Sequence, residues 1–417
     1  MAAAPEALLR ACDGYLTEAS DDDAVLGMAP RWVASPGTTA QVSAVMAAAT
    51  ADGLAVVPRG TGSKLGWGNP PRRLDVVLDT TRLDTLVEHA AGDLILVTGA
   101  GRRLTALQDD VAGSGQRLGI DPTRSGTIGG TVATGTSGPM RLRHGAVRDL
   151  VIGMTLVRAD GVVAKSGGKV VKNVAGYDLA KLLTGSFGTL GVITEVAFRL
   201  HPVPPARRWV TLAVDGPEQA QAAVQELAHS QQAPVAVEVD WAEGRGEVSA
   251  LLEGHADATE DCAETVARGL GDGARVDDHA PDWWGTDLGA ADLHADGAGR
   301  TLVRTTHEIA GTGPLLGSIT SLSEAPGVSA AYRGSPAVGV GCALLVGEVD
   351  AVVAATEGLR AAAAAVGGAA VVLEAPDDVR ARVDVWGPAT ALDLMRSVKA
   401  RFDPEGTLAP GRFVGGI

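Results

Sequence analysis

The stretch that decides the fold runs from Val57 to Pro71 and reads "VPRGTGSKLGWGNPP". It follows a short apolar run, 54–57, and carries glycines at four positions. Glycine adopts backbone angles that other residues avoid, and successive N–H groups in such a turn form a nest for an anion. A nicotinamide-type fingerprint must open directly into a helix, which Trp67 to Pro71 cannot begin. We therefore predict a strand–loop–strand phosphate cradle, with a plain glycine-rich surface loop as the alternative.

The bulk composition limits the class of protein. The chain has 417 residues, of which 46% are hydrophobic and 3% aromatic, so we expect two domains with cores of alanine, valine and leucine. A net charge of −15 argues against nucleic acid or an anionic membrane surface as the main partner. Cys12, Cys262 and Cys342 lie far apart, form no metal pattern and cannot hold an iron–sulfur cluster by themselves.

The sequence also suggests where the protein resides. Thiols without a pairing pattern indicate a reducing compartment. We find no signal peptide at the start of the chain, and the run 361–373 is too short for a transmembrane segment. We therefore expect a cytoplasmic protein with no transmembrane segment, or one held at the inner face of the membrane through its partners.

Hydrophobic periodicity and turn signals predict the elements of the first half. A turn with an N-cap at 35–39 precedes a helix, and residues 148–164 read as a hairpin with Asp160-Gly161 at its turn. Residues 1–35 are expected to be a helix followed by irregular chain. The remaining predicted elements are strands at 54–57, 74–78, 94–98 and 191–200, a helix at 104–112 and a short helix after residue 178.

The proline-rich break "HPVPP" at 201–205 marks a domain boundary, after which strands and helices alternate. This alternation predicts an antiparallel sheet with helices on one face. The fold class is therefore α+β, with domains at 1–205 and 206–385 and a C-terminal segment, 386–417, that packs back on the first domain. The predicted elements are strands at 209–214, 234–240, 247–252, 301–306, 339–346 and 369–374, and helices at 218–230, 257–270, 350–366 and 389–401.

A second glycine-rich segment, residues 119–145, reads "GIDPTRSGTIGGTVATGTSGPMRLRHG". Its glycines permit close approach to the backbone, and its threonines supply hydroxyl groups. Two separate phosphate-like segments suit a long, thin ligand such as FAD. Glycine-rich turns that merely join strands are the alternative.

A third segment, residues 167–196, contains "KNVAGYDLAKLLTGSFGTLGVI". Together the three segments resemble the flavoprotein family with an FAD domain of the vanillyl-alcohol-oxidase or para-cresol-methylhydroxylase (PCMH) type. Within it the pattern is most similar to the FAD-binding accessory subunits of bacterial glycolate oxidase (glycolate dehydrogenase). The related catalytic subunits usually have a glutamate where this chain has Phe187. The resemblance covers residues 36–202 and 386–413, where Ala409 replaces the usual asparagine.

The resemblance implies an FAD site, a two-part FAD domain and a smaller antiparallel cap domain. Some relatives attach the flavin through a histidine or cysteine, but residues 58–71 contain neither. His144, in the second segment, is more often structural, so we expect non-covalent FAD. The implied FAD-binding residues are Pro58, Arg59, Gly60, Thr61, Gly62, Ser63, Pro122, Gly126, Thr127, Gly129, Gly130, Thr134, Gly138, Gly191, Val192 and Ile193.

The catalytic residues are less evident. Dehydrogenases of D-2-hydroxy acids in this superfamily carry a paired-histidine metal motif, and "DLHADGAGR" at 292–300 echoes it with a single histidine. His307 lies outside that spacing, so we expect no catalytic metal. Weak candidates for catalysis are Lys169, Lys172 and Tyr177, for which structural roles are the alternative.

Two functions follow from the resemblance. The first is an FAD-dependent oxidoreductase subunit that oxidises glycolate or a similar short 2-hydroxy acid and passes electrons to an iron–sulfur subunit beside a second FAD dehydrogenase subunit. The second is a non-catalytic flavin-binding or electron-relay subunit, which Phe187 and the missing metal motif favour. A free-standing FAD-dependent alcohol or hydroxy-acid oxidase is a third alternative.

Overall fold

The computed structural model describes residues 6–169, 177–288 and 299–417. The strands of these residues are β1 (Leu16–Glu18), β2 (Trp32–Ala34), β3 (Val56–Arg59), β4 (Val76–Asp79), β5 (Leu86–Ala90), β6 (Ile95–Gly99), β7 (Gln116–Arg117), β8 (Val151–Val157), β9 (Val163–Gly167), β10 (Val192–Arg199), β11 (His201–Pro202), β12 (Ala206–Asp215), β13 (Ala236–Ala242), β14 (Arg245–Gly254), β15 (Arg275–Asp277), β16 (Gly299–Thr306), β17 (Val328–Ser335), β18 (Val340–Gly347) and β19 (Ala370–Glu374). The helices are α1 (Glu6–Ala11), α2 (Thr39–Ala51), α3 (Leu104–Ala112), α4 (Ile128–Thr134), α5 (Arg141–His144), α6 (Val147–Leu150), α7 (Leu179–Leu183), α8 (Pro217–Ala228), α9 (Ala256–Leu270), α10 (Thr312–Glu324), α11 (Val349–Ala365), α12 (Asp377–Arg380) and α13 (Leu392–Phe402).

The first sheet has the order β1-β2-β4-β3. Strands β3 and β4 pair in parallel, and the glycine-rich loop 60–75 joins them without an intervening helix. The predicted strand–loop–strand arrangement is therefore confirmed. The C-terminal segment adds to this sheet, because the N–H of Val56 donates to the carbonyl of Thr407 and the N–H of Ala409 donates to the carbonyl of Val56.

The second sheet is antiparallel, with the order β5-β6-β10-β8-β9. The predicted hairpin is confirmed as β8 and β9, with the N–H of Arg158 bonded to the carbonyl of Val162 across the turn. Helices α3, α4 and α6 contribute to the core between this sheet and the second glycine-rich segment, where Leu107, Ile128 and Phe198 are fully or almost fully buried. This core holds the second glycine-rich segment on the second sheet.

The third sheet contains eight strands, all antiparallel, in the order β15-β12-β14-β13-β17-β18-β16-β19. Helices α8 to α11 pack on one face and share its core with alternate strand residues such as Val239, Val303 and Tyr332. The residues between them lie on the opposite face, which we call the open face because no helix of the α8–α11 layer covers it. The predicted α+β fold class is confirmed, and so is the antiparallel sheet predicted for the part of the chain after 201–205.

Several predicted boundaries were wrong for local reasons. The strand predicted at 54–57 begins only at Val56. The N–H of Leu54 instead donates to the carbonyl of Ala49 at the end of α2. Residues 1–35 are not simply irregular, since Trp32–Ala34 is an inner strand of the first sheet. The last helix begins at Leu392, because Ala391 has a φ of 57°, an angle outside the right-handed helical region.

The elements that escaped sequence analysis include α10 and β17. Helix α10, "TGPLLGSITSLSE", is rich in glycine, serine and threonine, which are weak helix formers, so only its packing on β17 and α8 favours the helix. The division into domains at 205 and 385 stays a prediction. No helix in the described part of the chain is long and apolar enough to cross a membrane.

Candidate functional site

The loop after β3 offers unpaired backbone N–H groups to a cavity. Residues 60–64 all line this cavity, which is open to solvent; the cavity and the solvent space at its mouth together measure about 740 Å³. Their N–H groups have no hydrogen-bond acceptor among the described residues. Gly62 has a φ of 77°, which a residue with a Cβ rarely adopts. A run of unpaired N–H groups of this kind binds an anion well.

Two distant arginines hold the carbonyl side of the same loop. The guanidinium of Arg412, which is 3% exposed, donates to three alternate carbonyls, and that of Arg380 donates to the two between them. Because the arginines bind the carbonyl oxygens of 65–69, this backbone is fixed next to the unpaired N–H groups. The distances are 2.9 Å to Leu65, 2.8 Å to Trp67 and 3.3 Å to Asn69 for Arg412, and 3.1 Å to Gly66 and 2.8 Å to Gly68 for Arg380.

The second glycine-rich segment forms the facing wall. Thr127 caps α4 by accepting from the N–H of Gly130 at 3.2 Å. A Cβ on Gly60 would lie 2.1 Å from Thr127 Oγ1, so the two segments touch only because residue 60 is glycine. A Cβ on Gly130 would meet only Thr127 Oγ1, at 3.1 Å, so a side chain there would enter the cavity. The remaining lining residues are Pro58, Arg59, Leu65, Thr80, Gly129, Ala133, Thr134, Phe187, Gly188, Gly191, Val192, Ile193 and Arg412.

Lys64 brings an uncompensated positive charge to the cavity. It is 7% exposed, and its ammonium has no hydrogen-bond or ion-pair partner in the described ranges. Burial, with a smaller contribution from Arg124, lowers the pKa of Lys64 to about 8, although Asp287 opposes the shift. A buried ammonium without a counter-ion is costly, and an anionic ligand in the cavity would offset that cost.

The structure brings most of the predicted FAD-binding residues together. Pro122, Gly126 and Gly138 do not line the cavity. Gly126 lies behind the loop, where a Cβ would be 2.7 Å from Ser63 Oγ, and a Cβ on Gly138 would be 1.8 Å from the carbonyl oxygen of Asp121. The predicted residues that line the cavity are Pro58, Arg59, Gly60, Thr61, Gly62, Ser63, Thr127, Gly129, Gly130, Thr134, Gly191, Val192 and Ile193.

Sequence analysis missed several lining residues. Lys64 lies inside the glycine-rich stretch 57–71, but the sequence does not show that its side chain is buried in the cavity. Arg412 stands in the closing segment, but nothing local shows that it reaches a loop near residue 65. Phe187 was noted only for the glutamate it replaces. It has a φ of 56°, and its ring packs 5.0 Å from that of Trp386 and 5.9 Å from that of Phe413.

Two of the three weak catalytic candidates, Lys169 and Tyr177, are described, and both lie away from the cavity lining. Lys169 is half-exposed and pairs with Glu88. Tyr177 is 94% exposed, so it is not a core residue either. Lys172 lies outside the described residues. None of the three therefore acquires a catalytic role from the structure.

The histidines considered in the sequence have structural surroundings where they are described. The ring of His144 stacks on that of His201 at 4.2 Å, and burial lowers its pKa to about 4. His307 is buried beside Thr312, 3.2 Å away, and burial lowers its pKa to about 4 as well. His294, in the echo of the metal motif, lies outside the described residues. Across 6–169, 177–288 and 299–417, no group of three or more potential ligands could hold a metal ion.

Comparison with known proteins agrees with this geometry. Residues 30–167 match the FAD binding domain family, and residues 386–413 match the C-terminal domain of FAD linked oxidases. The chain thus contains a region similar to the FAD binding domain family and a closing segment similar to the C-terminal domain of FAD linked oxidases. The predicted PCMH-type fold and FAD as the family's cofactor are thereby confirmed.

Curated relatives match about half of the chain. They include glycolate oxidase subunit GlcE of Escherichia coli, 34% identical over 45% of this chain and 53% of that protein. Glycolate oxidase subunit GlcD of Bacillus subtilis is 30% identical over 50% of this chain and 45% of that protein. D-lactate dehydrogenase of Archaeoglobus fulgidus is 35% identical over 49% and 46%, respectively. The chain spans about half the length of the curated relatives it matches.

The fold extends over nearly the whole chain. A solved structure of alkyldihydroxyacetonephosphate synthase superposes with a TM-score of 0.73 over 92% of this chain and 78% of that one, at 18% identity. This likeness concerns the fold alone. The cavity residues fit FAD, since unpaired N–H groups and the ammonium of Lys64 suit its pyrophosphate, and the glycine wall admits a thin ligand.

A side chain at residue 130 should abolish FAD binding. Gly130→Val places its branches in the cavity without a clash beyond Thr127, so the protein should fold and purify without flavin. We expect at least a tenfold loss of flavin, measured as FAD released into the supernatant by acid, a readout that also tests non-covalent binding. Gly66→Ala is the control, because a Cβ at residue 66 meets nothing within 4 Å. Normal flavin in Gly130→Val would show that the cradle is elsewhere.

Arg412 should stabilise both the fold and the cradle. Arg412→Met removes three buried hydrogen bonds to carbonyls, and we expect the free energy of unfolding to fall by about 3 kcal/mol at ~1 kcal/mol per bond. Denaturant titration measures this loss, and FAD content should fall with it. Arg396→Met, on the exposed side of α13, should change stability by less than about 0.5 kcal/mol. Equal stability of the two variants would contradict the proposed support.

Lys64 should make FAD binding depend on pH. The free chain loses the Lys64 proton near pH 8, whereas an adjacent pyrophosphate keeps it protonated, so affinity should fall about tenfold between pH 7 and pH 9. Fluorescence titration of the flavin-free chain measures the affinity. Lys64→Met should bind FAD more weakly and with a flat profile over this range. A wild-type profile in that variant would remove Lys64 from the site.

Proposed function

We propose that the chain is an FAD-dependent oxidoreductase subunit of a glycolate oxidase or glycolate dehydrogenase complex. It would oxidise glycolate or a similar short 2-hydroxy acid and pass the electrons to an iron–sulfur partner. The observation that carries the proposal is the cavity, where unpaired N–H groups of 60–64 and the partnerless Lys64 ammonium meet the glycine wall of α4. Relatives named glycolate oxidase subunits and D-lactate dehydrogenase support the substrate class.

The residues around the cavity suit a flavin-dependent site. When bound, FAD supplies an acceptor for a hydride equivalent. Trp67, which follows the cradle, packs with Leu302 and Leu373 of the third sheet, and Phe187 and Cys342 pack against this cluster. The cluster places buried apolar side chains between the loop after β3 and the open face of that sheet. The substrate would then lie between the two parts of the chain.

The electron route would require another polypeptide. Cys12 directly follows α1, whereas Cys262 lies in α9 and Cys342 in β18, so the three thiols do not converge on one cluster. A second FAD dehydrogenase subunit and an iron–sulfur subunit would complete the path. The cytoplasmic location, with or without attachment to the membrane through these partners, is part of the same proposal.

A second candidate is a flavin-binding subunit that does not itself oxidise substrate. Phe187 supports it, because an aromatic ring packed between Trp386 and Phe413 cannot supply the carboxylate that catalytic subunits usually have there. A free-standing FAD-dependent alcohol or hydroxy-acid oxidase is a weaker third candidate, since the described cavity lining contains no histidine or cysteine for covalent attachment.

The chain should oxidise glycolate poorly alone and well in the complex. The purified FAD-loaded chain is mixed anaerobically with glycolate or D-lactate while flavin absorbance is followed, with and without the second flavoprotein and the iron–sulfur subunit. We expect slow or no reduction alone and fast reduction with the partners. A complex that carries Gly130→Val in this chain is the control, since loss of activity would show that this flavin is needed. Rapid reduction and efficient dye turnover by the isolated chain would refute the division of labour.

A further inference from the structure

Phe187 adopts a backbone conformation that bulky residues rarely take. Its φ is 56° and that of Gly188 is 73°, so two consecutive residues are left-handed in the turn where the N–H of Thr189 donates to the carbonyl of Ser186 at 3.1 Å. Glycine, asparagine and aspartate dominate both positions of such a turn, and a bulky side chain there is strained. Residues under strain of this kind persist only where the surrounding structure holds them, and they cluster at functional sites.

The turn is fixed from two sides by the elements that build the cavity. The N–H of Phe187 donates to the carbonyl of Ala133, near the end of α4, at 2.9 Å. On the other side, a Cβ on Gly188 would lie 3.4 Å from ring atoms of Pro58 in β3, so the backbone of the turn lies close to that strand. The chain alone therefore sets where the ring of Phe187 stands.

Two further rings pack on that of Phe187. Trp386 lies edge-on at 5.0 Å, with an interplanar angle of 75°, and Phe413 lies at 5.9 Å. The rings of Trp386 and Phe413 are 4.9 Å apart, and the indole N–H of Trp386 donates to the carbonyl of Arg412 at 3.3 Å. Of these three aromatic residues only Phe187 belongs to the described cavity lining, so the other two support it from outside the cavity.

We propose that Phe187 forms an aromatic wall on which the isoalloxazine ring of FAD packs. Phe187 is the only aromatic residue in the described lining, and planar ring systems pack well against aromatic side chains. The pyrophosphate would be held by the N–H groups of 60–64 and by Lys64. The rest of the cavity is then left for the ring systems at the two ends of the cofactor.

The position of Phe187 favours the isoalloxazine ring over the adenine. Phe187 packs against the cluster of Trp67, Leu302 and Leu373, where the cradle meets the third sheet. The reacting ring of the cofactor must face the substrate, which the proposed function places between these two parts of the chain. The inference therefore rests on the proposed function, and it makes Phe187 a cofactor-binding residue.

The aromatic wall has a chemical consequence, because a hydrocarbon ring neither donates nor accepts a proton. The isoalloxazine ring would find no acid or base on the residue that it packs against. Any group that exchanges a proton with the bound flavin must therefore stand elsewhere in the site.

The test uses parts of the cofactor as probes. FMN carries the isoalloxazine ring without adenine, and ADP carries adenine and a pyrophosphate without the flavin. The full chain, freed of its cofactor, is titrated with FAD, FMN and ADP by calorimetry. We expect Phe187→Leu to weaken the binding of FAD and FMN about tenfold, since the lost ring contact and buried area are together of that order. Its affinity for ADP should change by less than about twofold.

Phe413→Leu is the matched control, because it removes a ring from the same cluster without changing the cavity lining. It should alter the affinity for each probe by less than about threefold. Phe187→Tyr, which keeps the ring, should bind FMN like the wild type. Visible circular dichroism of the FAD-loaded chain gives a second readout, since Phe187→Leu should lose the signal of a fixed isoalloxazine ring and Phe413→Leu should keep it.

The outcomes separate the aromatic wall from a packing role and from the proposed function. Wild-type affinity for FMN in Phe187→Leu, a loss confined to ADP, or no binding of FMN to the wild type would overturn the aromatic wall. An equal loss of FMN binding in Phe413→Leu would do the same, because it would show a packing role alone. If FMN binding depends on Phe187 but glycolate never reduces the flavin in the complex, the aromatic wall stands and the proposed function fails. If the complex oxidises glycolate while Phe187→Leu binds FMN like the wild type, the aromatic wall fails alone.

Discussion

The binding of the loop carbonyls at 65–69 by Arg412 and Arg380 is the constraint on which the candidate site depends. A peptide unit carries its N–H and C=O on opposite sides, so fixing the carbonyls of a short loop limits where the neighbouring N–H groups lie. Because Arg412 is buried, its hydrogen bonds do not compete with water. The C-terminal segment therefore acts as part of the cradle, although it lies far from the cradle in sequence.

The third sheet contributes to the site through the face that α8 to α11 leave open. Alternation along β16 places Val303 in the helix-covered core and Arg304 on the other side. The same strand therefore contributes to the core and carries a positive charge on the open face. Trp67 links the two parts of the chain, because its indole N–H donates to Glu374 at 3.0 Å while its ring packs on Leu302 and Leu373. Arg124 also pairs with Glu374, so the cradle and the sheet share one buried contact.

Sequence reasoning succeeded where the determinants are local. The glycines and prolines of 57–71 predict the loop, and Asp160-Gly161 predicts the hairpin at 148–164. Both predictions work because turn geometry depends on neighbouring residues. It failed where the determinants are distant. Helix α10 depends on packing rather than on the helix propensity of its residues. The surroundings of Lys64 include groups as far along the chain as Asp287.

A buried cation that has no partner among the described residues indicates where an anionic ligand would bind. Natural proteins pair most buried charges, since an isolated one is costly, and here Arg59, Arg102 and Arg333 follow that rule. Lys64 beside the cradle does not, since its ammonium has no hydrogen-bond or ion-pair partner among the residues that the structure describes. Exceptions to local rules concentrate at functional sites. Because Lys64 stands beside the N–H groups of 60–64, the pyrophosphate of the proposed FAD would offset the cost of burying its ammonium.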